Sequence, residues 1–256
     1  MRILFKTNYR QDLNLAKHGG HRFWYGLLIL ILFAGPIMLD GYYIGEATRV
    51  LIYAMAGLGL MVLTGFTGQA SLGHAAFLAI GAYTNAWFLA QGFSSFVALP
   101  MAALLSMIGG LLVAIPAARM SGIYLAIATL AFAIIVEDFA GHLTSITGGN
   151  RGMMVDVPML FGYQIRQSWE LYLFVLSVLV VATLAVLNIL RSPLGRAMIA
   201  VRDSEVSSQA LGVNPMKIKV FAFTVSAAIT GLAGAFLAHY MLFLTPQIFG
   251  ILLSIQ

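Results

Sequence analysis

The chain is predicted to be an all-α, polytopic helical membrane protein with about seven transmembrane helices. Three observations predict it. Hydrophobic residues make up 61% of the chain and charged residues 9%, against about 25% charged in a soluble domain. Apolar runs recur along the chain, several near the length of about 20 residues that crosses a hydrocarbon core. The basic residues gather in an N-terminal tail and in one polar island rather than along a groove.

Residues 1–22 carry Arg2, Lys6, Arg10, Lys17 and Arg22 against Asp12, and read as a basic cytoplasmic tail. Residues 23–256 then form a single transmembrane domain. Phe23 to Leu39 reads as an uncleaved first span, because it is longer than the core of a signal peptide. Arg49 to Leu63, with the polar lead-in GEATR, gives a second span. Ala75 to Leu89, Phe96 to Ala117 and Gly122 to Phe139 follow, with Arg119 between the last two. Residues 140–168 are a periplasmic loop centred on TGGNRG, Thr147 to Gly152. Trp169 to Leu190 and Ile218 to Phe243 complete the set. The apolar run from Ile248 to Leu253 implies that at least one more helix follows in the native protein.

Sidedness follows by counting, because each span changes the side. With the N-terminus inside, the stretch around Gly65 to His74, Arg119 and the island at 191–219 all fall in the cytoplasm, as short Lys- and Arg-rich loops do. The net charge of +5 is thereby explained by topology, and nucleic-acid binding is set aside. Cysteine is absent from the sequence, which excludes disulfides and thiolate metal sites. The five histidines show no metal-ligand spacing. Walker A, HExxH and nucleophile-elbow patterns are also absent, so energy for any transport must be coupled from elsewhere.

Two polar stretches carry the functional reading. Gly65, Gly68, Gln69, Ser71, Gly73 and His74 interrupt the apolar pattern. The break is either a tight turn or an interrupted helix; irregular backbone at membrane depth survives only inside protein or beside a water-filled cavity. A helix restarting near Ser71 would offer free N–H groups to a carboxylate, and these six residues are candidates for a substrate path. His74 on its own reads as a packed, hydrogen-bonded side chain. In the last span, Ala227, Gly231 and Ala235 share a face and predict close packing within the chain.

The second stretch is the island, RSPLGRAMIAVRDSEVSSQALGVNPMKIK, residues 191–219. Ser192-Pro193 marks a turn, Asp203 or Ser204 can cap a helix, and a short helix from Glu205 should stop at Gly212. The island therefore predicts two short cytoplasmic helices.

Leu63 to Tyr83, Thr147 to Met153 and Ser192 to Tyr240 resemble the membrane permeases of branched-chain amino-acid ABC importers, the LivM-type subunit. The resemblance implies a multi-pass subunit of the bacterial inner membrane that imports branched-chain amino acids without being an enzyme. It implies a second, homologous permease subunit, two cytoplasmic ATPase subunits that bind ATP and Mg, and a periplasmic solute-binding protein. The island becomes the coupling element, with Arg202, Glu205, Val206, Ser207, Ala210, Leu211, Gly212 and Val213 meeting the ATPase. The chain departs from the Glu-Ala-Ala motif of ABC importers: Val206-Ser207-Ser208 take those positions, with Glu205 one residue early. Relatives of the family carry urea, short amides and other small solutes. An ion-driven secondary transporter is the less favoured alternative, because no carboxylate falls in mid-span.

Overall fold

The computed structural model describes residues 19–38, 40–120, 122–160, 163–250 and 253. The basic positions Arg2, Lys6, Arg10 and Lys17, and Ile251 and Leu252 of the last apolar run, lie outside them. The described chain is mainly helical, and its principal helices are α1 (Gly19–Met38), α2 (Gly41–Leu60), α3 (His74–Ala90), α4 (Ser95–Ala117), α5 (Ile123–His142), α6 (Ser168–Arg191), α7 (Pro193–Asp203), α8 (Glu205–Ala210) and α9 (Pro215–Met241), with a single helical turn at Thr144–Thr147.

Among the described residues, five helices are long and apolar enough to cross a membrane: α2 with its continuation to Gly65, α4, α5, α6 and α9. Two of the expected spans are shorter. Helix α3 has 17 residues, about 25 Å at 1.5 Å per residue, and the apolar part of α1 is Phe23–Met38. The second span starts at Gly41, eight residues before Arg49, because GEATR is taken into the helix and Arg49 pairs with Glu46 one turn away at 2.6 Å. The last span starts at Pro215. Proline lacks the N–H that a helix cannot use in its first turn, and Asn214 caps it by accepting from the Lys217 N–H at 3.2 Å.

Helix α9 is the centre of the bundle. Its span is 67% buried, against 22% for α6, and it packs on α4, α3 and α2. Lipid offers no hydrophobic drive for helices to associate, so the fit must come from close approach. The expected stripe supplies it: Ala227 and Ala235 are fully buried, and a Cβ on Gly231 would sit 2.1 Å from Ser106 Oγ of α4. Facing it, a Cβ on Gly81 of α3 would sit 2.0 Å from the Gly231 carbonyl oxygen. The stripe is thus consumed by packing within the chain.

The two ends differ in construction. At one end lie the Gly65–His74 break, Arg119 and the island, the three stretches that alternation of sides had grouped. At the other, α9 stops at Leu242 in a left-handed turn and continues as β4 (Phe243–Leu244), antiparallel to β1 (Met153–Met154). The second hairpin, β2 (Met159–Leu160) with β3 (Tyr163–Gln164), precedes α6. The Tyr163 hydroxyl donates to Glu170 at 2.6 Å. That hydrogen bond first, and the carboxylate charge second, hold the phenol above its ordinary pKa. The expected loop is therefore a structured cap tied to the segment after α9.

Candidate functional site

The glycine break begins with a change of helix type. Helix α2 passes into a π-turn over Met61–Gly65, where the Thr64 and Thr67 hydroxyls donate to the carbonyls of Leu60 and Leu63 at 2.9 and 2.6 Å. Hydroxyls bonding back to the preceding turn loosen the regular ladder, and π-turns recur at functional positions. The break is a reversal between two helices: Gly59 and His74 both meet Ser226 of α9, and Thr48 and Asn85 both lie at its His239 end, so α2 and α3 run antiparallel. The chain leaves the helix at Gly68, in the left-handed region at φ +68°, and α3 restarts at His74, three residues later than Ser71.

The break is filled from three sides. On α5, Thr129 Oγ1 accepts from the Leu72 N–H at 3.0 Å. A Cβ on Gly73 would meet the Thr129 carbonyl oxygen at 2.2 Å, so α5 covers the start of α3. On α7, Arg202 Nη1 donates to the Gly65 carbonyl at 2.9 Å, and its side chain lies against Gly68. On α9, the Lys219 carbonyl accepts from Gln69 Nε2 at 3.4 Å.

His74 closes the arrangement. Its Nε2 lies 2.8 Å from Ser226 Oγ, and Ser226 Oγ donates to the Gly59 carbonyl of α2 at 2.6 Å. With the serine proton committed to Gly59, Nε2 must carry the hydrogen, and Nδ1 accepts from Ser71 Oγ at 3.0 Å. This tautomer is assigned from the network. A buried histidine satisfied at both nitrogens is a structural pin joining α2, the break, α3 and α9.

In the island, Ser192 accepts from the Leu194 N–H and Pro193 opens α7; Ser204 accepts from the Ser207 N–H and starts α8. Helix α8 ends in a Schellman motif: the Gly212 N–H donates to Gln209 and the Val213 N–H to Ser208, both at 3.0 Å. Gly212 takes the required left-handed conformation at φ +84°.

The expected coupling residues divide into two groups. Arg202, Glu205 and Val213 make contacts to the bundle: Arg202, half-exposed, holds Gly65 and Asp203, Glu205, also half-exposed, pairs with Lys219 at 2.5 Å, and Val213 packs on the core. Val206, Ala210 and Leu211 face outward, Val206 at 80% and Leu211 at 81% exposure. Ser207 serves the cap. Beside α8 lies a cavity of about 470 Å³, lined in part by Arg119, Glu205, Gln209 and Asn214.

Sequence reasoning treated the break and the island as separate sites, and the fold joins them through Arg202 and Lys219. Lys219 could have been singled out as a cation inside an otherwise apolar run. Ser226 and Thr129 carried no signal beyond being small and polar.

The fold defines a multi-pass helical membrane protein whose two polar stretches meet at one end. Residues 42–256 match the family described as branched-chain amino acid transport system / permease component, and the chain belongs to that family. It is 37% identical over 247 aligned residues to the high-affinity branched-chain amino acid transport system permease protein LivM of Salmonella typhimurium, covering 87% of this chain and 58% of that relative. The LivM protein of Escherichia coli K12 is 36% identical with the same coverage. A probable branched-chain amino acid transport permease protein LivM of Methanocaldococcus jannaschii is 26% identical over 56% of this chain and 42% of the relative. The chain thus spans 58% of the length of the two bacterial relatives. No solved structure matches it.

Proposed function

We propose that the chain acts as a permease subunit of an ATP-driven importer for branched-chain amino acids in a bacterial inner membrane, with its N-terminus in the cytoplasm. A second, homologous permease completes the membrane unit, two ATPase subunits that bind ATP and Mg dock on the island, and a periplasmic binding protein delivers the amino acid. ATP hydrolysis belongs to the ATPase subunits. The names of the two bacterial relatives support the substrate class.

The observation that carries the mechanism is the split in the island. Helix α8 presents Val206, Ala210 and Leu211 outward while Glu205 and Arg202 grip the bundle. A six-residue helix with apolar side chains in water and ionic ties behind it fits a groove in a partner. Motion of the ATPases displaces α8. Glu205 passes the displacement to Lys219 on α9, and Arg202 passes it to the Gly65 carbonyl at the π-turn. The break of Gly65, Gly68, Gln69, Ser71, Gly73 and His74 then contributes to the path as its joint, biasing the bundle between inward and outward states.

The test is co-purification with the ATPases, comparing the native chain with Leu211→Asp and Gly212→Asp. Loss of the ATPases with either variant supports docking through α8; retained assembly and uptake in both refute it. Stimulation of ATP hydrolysis by L-leucine, L-isoleucine and L-valine, set against urea and short amides, decides the substrate class.

A further inference from the structure

The end opposite the island holds a second polar centre. A cavity of about 370 Å³ lies beneath the structured cap, between the first turns of α2 and α6 and the end of α9. Its size falls within the range of about 300–1,000 Å³ typical of small-molecule pockets. Val157, Ile165 and Leu171 contribute apolar wall; Thr48, Arg166 and His239 contribute polar groups. Among the described residues that line it there is no carboxylate.

His239 is 2% exposed, and its Nδ1 has no hydrogen-bond partner. Its protonation follows from its neighbour. Asn85 Nδ2 lies 3.4 Å from the Ala235 carbonyl and 3.1 Å from His239 Nε2. The carbonyl sets the amide orientation, which leaves Asn85 Oδ1 also without a partner, and in that orientation Nε2 is assigned as the acceptor. The ring hydrogen sits on Nδ1. A fully buried donor without an acceptor is costly, so the cavity calls for an acceptor at this nitrogen.

Arg166 supplies charge in the same wall. Its Nε and Nη2 donate to Gln164 Oε1 at 3.0 and 2.6 Å. Its backbone N–H and that of Gln167 are held by Glu170 Oε2 at 3.1 and 3.3 Å. The turn carrying the guanidinium is thereby tied to the first turn of α6. A neutral donor and a cation in a cavity with apolar walls match a carboxylate carried on a short aliphatic body.

We propose that this cavity is a carboxylate-binding site: the carboxylate of a free aliphatic α-amino acid is held by Arg166 and the Nδ1–H of His239, and its side chain lies against Val157, Ile165 and Leu171. The identity of the ligand rests on the importer reading; the carboxylate chemistry does not.

The test is equilibrium binding of tritiated L-leucine to the permease and ATPase complex in lipid nanodiscs, without the binding protein. Isovalerate, which keeps the carboxylate and the aliphatic chain, and L-leucinamide, which lacks the carboxylate, serve as competitors. The expected result is competition by isovalerate and none by L-leucinamide, with affinity about tenfold weaker in Arg166→Gln and in His239→Phe. Arg166 is exposed, so its variant tests the site even where the buried His239 variant fails to fold. Arg166→Gln binding and transporting L-leucine as the native complex does, or L-leucinamide competing equally, overturns the site and leaves the importer reading intact. A native complex that neither binds nor transports L-leucine overturns the importer reading. In that case, isovalerate binding that Arg166→Gln abolishes supports the carboxylate site, and absent isovalerate binding overturns it.

Discussion

Lys219 and Glu205 form an ion pair whose members occupy different surroundings. Nζ and Oε1 are 2.5 Å apart, yet the Lys219 side chain is 6% exposed and that of Glu205 49%. The lysine is a cation on the inner face of α9, held there by a carboxylate from the surface helix α8. Removing either member strands the other unequally. Glu205→Gln leaves an ammonium buried without its counter-ion, and after allowance for the exposed carboxylate the cost is about 1–2 kcal/mol. Lys219→Met frees an acid that water can solvate, and costs less. A double-mutant cycle read by thermal unfolding in detergent should show a coupling of this size. Additive single effects would remove the pair as a tie between α8 and α9.

Gly212 closes α8 with φ at +84° and open space where a Cβ would stand. The strain of a substitution is therefore in the backbone alone. Gly212→Ala should weaken the cap by about 1 kcal/mol, and Gly212→Asn by less, because asparagine tolerates the left-handed region. Hydrogen exchange at the Leu211, Gly212 and Val213 amides reads this directly. Equal protection in the native and Ala chains would show that the cap does not depend on glycine.

The Gly81 and Gly231 backbones touch where α3 crosses α9. Gly81→Ala puts a methyl carbon 2.0 Å from a carbonyl oxygen, and the helices must part; overpacking of this kind costs about 1–3 kcal/mol. Gly57→Ala, on α2 with nothing within 4 Å, is the control and should leave the unfolding temperature unchanged or raised. Similar behaviour of the two variants would contradict the close crossing.

Ser226→Ala removes the hydroxyl shared by His74 and the Gly59 carbonyl. Interhelical hydrogen bonds in membranes average about 0.6 kcal/mol and reach about 1.7. Two bonds are lost here and a buried ring N–H is orphaned, so a loss of about 1–2 kcal/mol is expected. Combining it with His74→Phe should cost less than the sum of the two single changes, the part that remains being the bond to the Gly59 carbonyl. Full additivity in unfolding experiments would show that the serine and histidine do not act together.

The helical membrane class, the position of most helices, the turn at Ser192-Pro193, a cap at Asp203 or Ser204 and the Gly212 stop were legible in the sequence. Each depends on local chemistry: apolar length, a hydroxyl that caps, a proline without an N–H, a residue that accepts positive φ. Helix ends were less legible, as at Gly41 and Pro215, because polar residues beside an apolar run do not end a helix when an i,i+3 pair or a cap satisfies them. The small-residue stripe of α9 was visible as a face, but its partners on α3 and α4 were not.

Composition, periodicity and short-range caps by themselves determined that this chain is a membrane-embedded helical protein with a basic island and a glycine-rich polar break after the second span. Only the tertiary structure decided that the break and the island are one assembly, that Arg202 and Glu205 tie to the bundle while Val206 and Leu211 stand free of it, and that His239 is left with an unpartnered ring nitrogen beneath the cap. Those relationships join residues as far apart as Gly65 and Arg202, or Asn85 and His239. No local pattern encodes them, because they arise from which helix faces meet once α9 is enclosed by its neighbours.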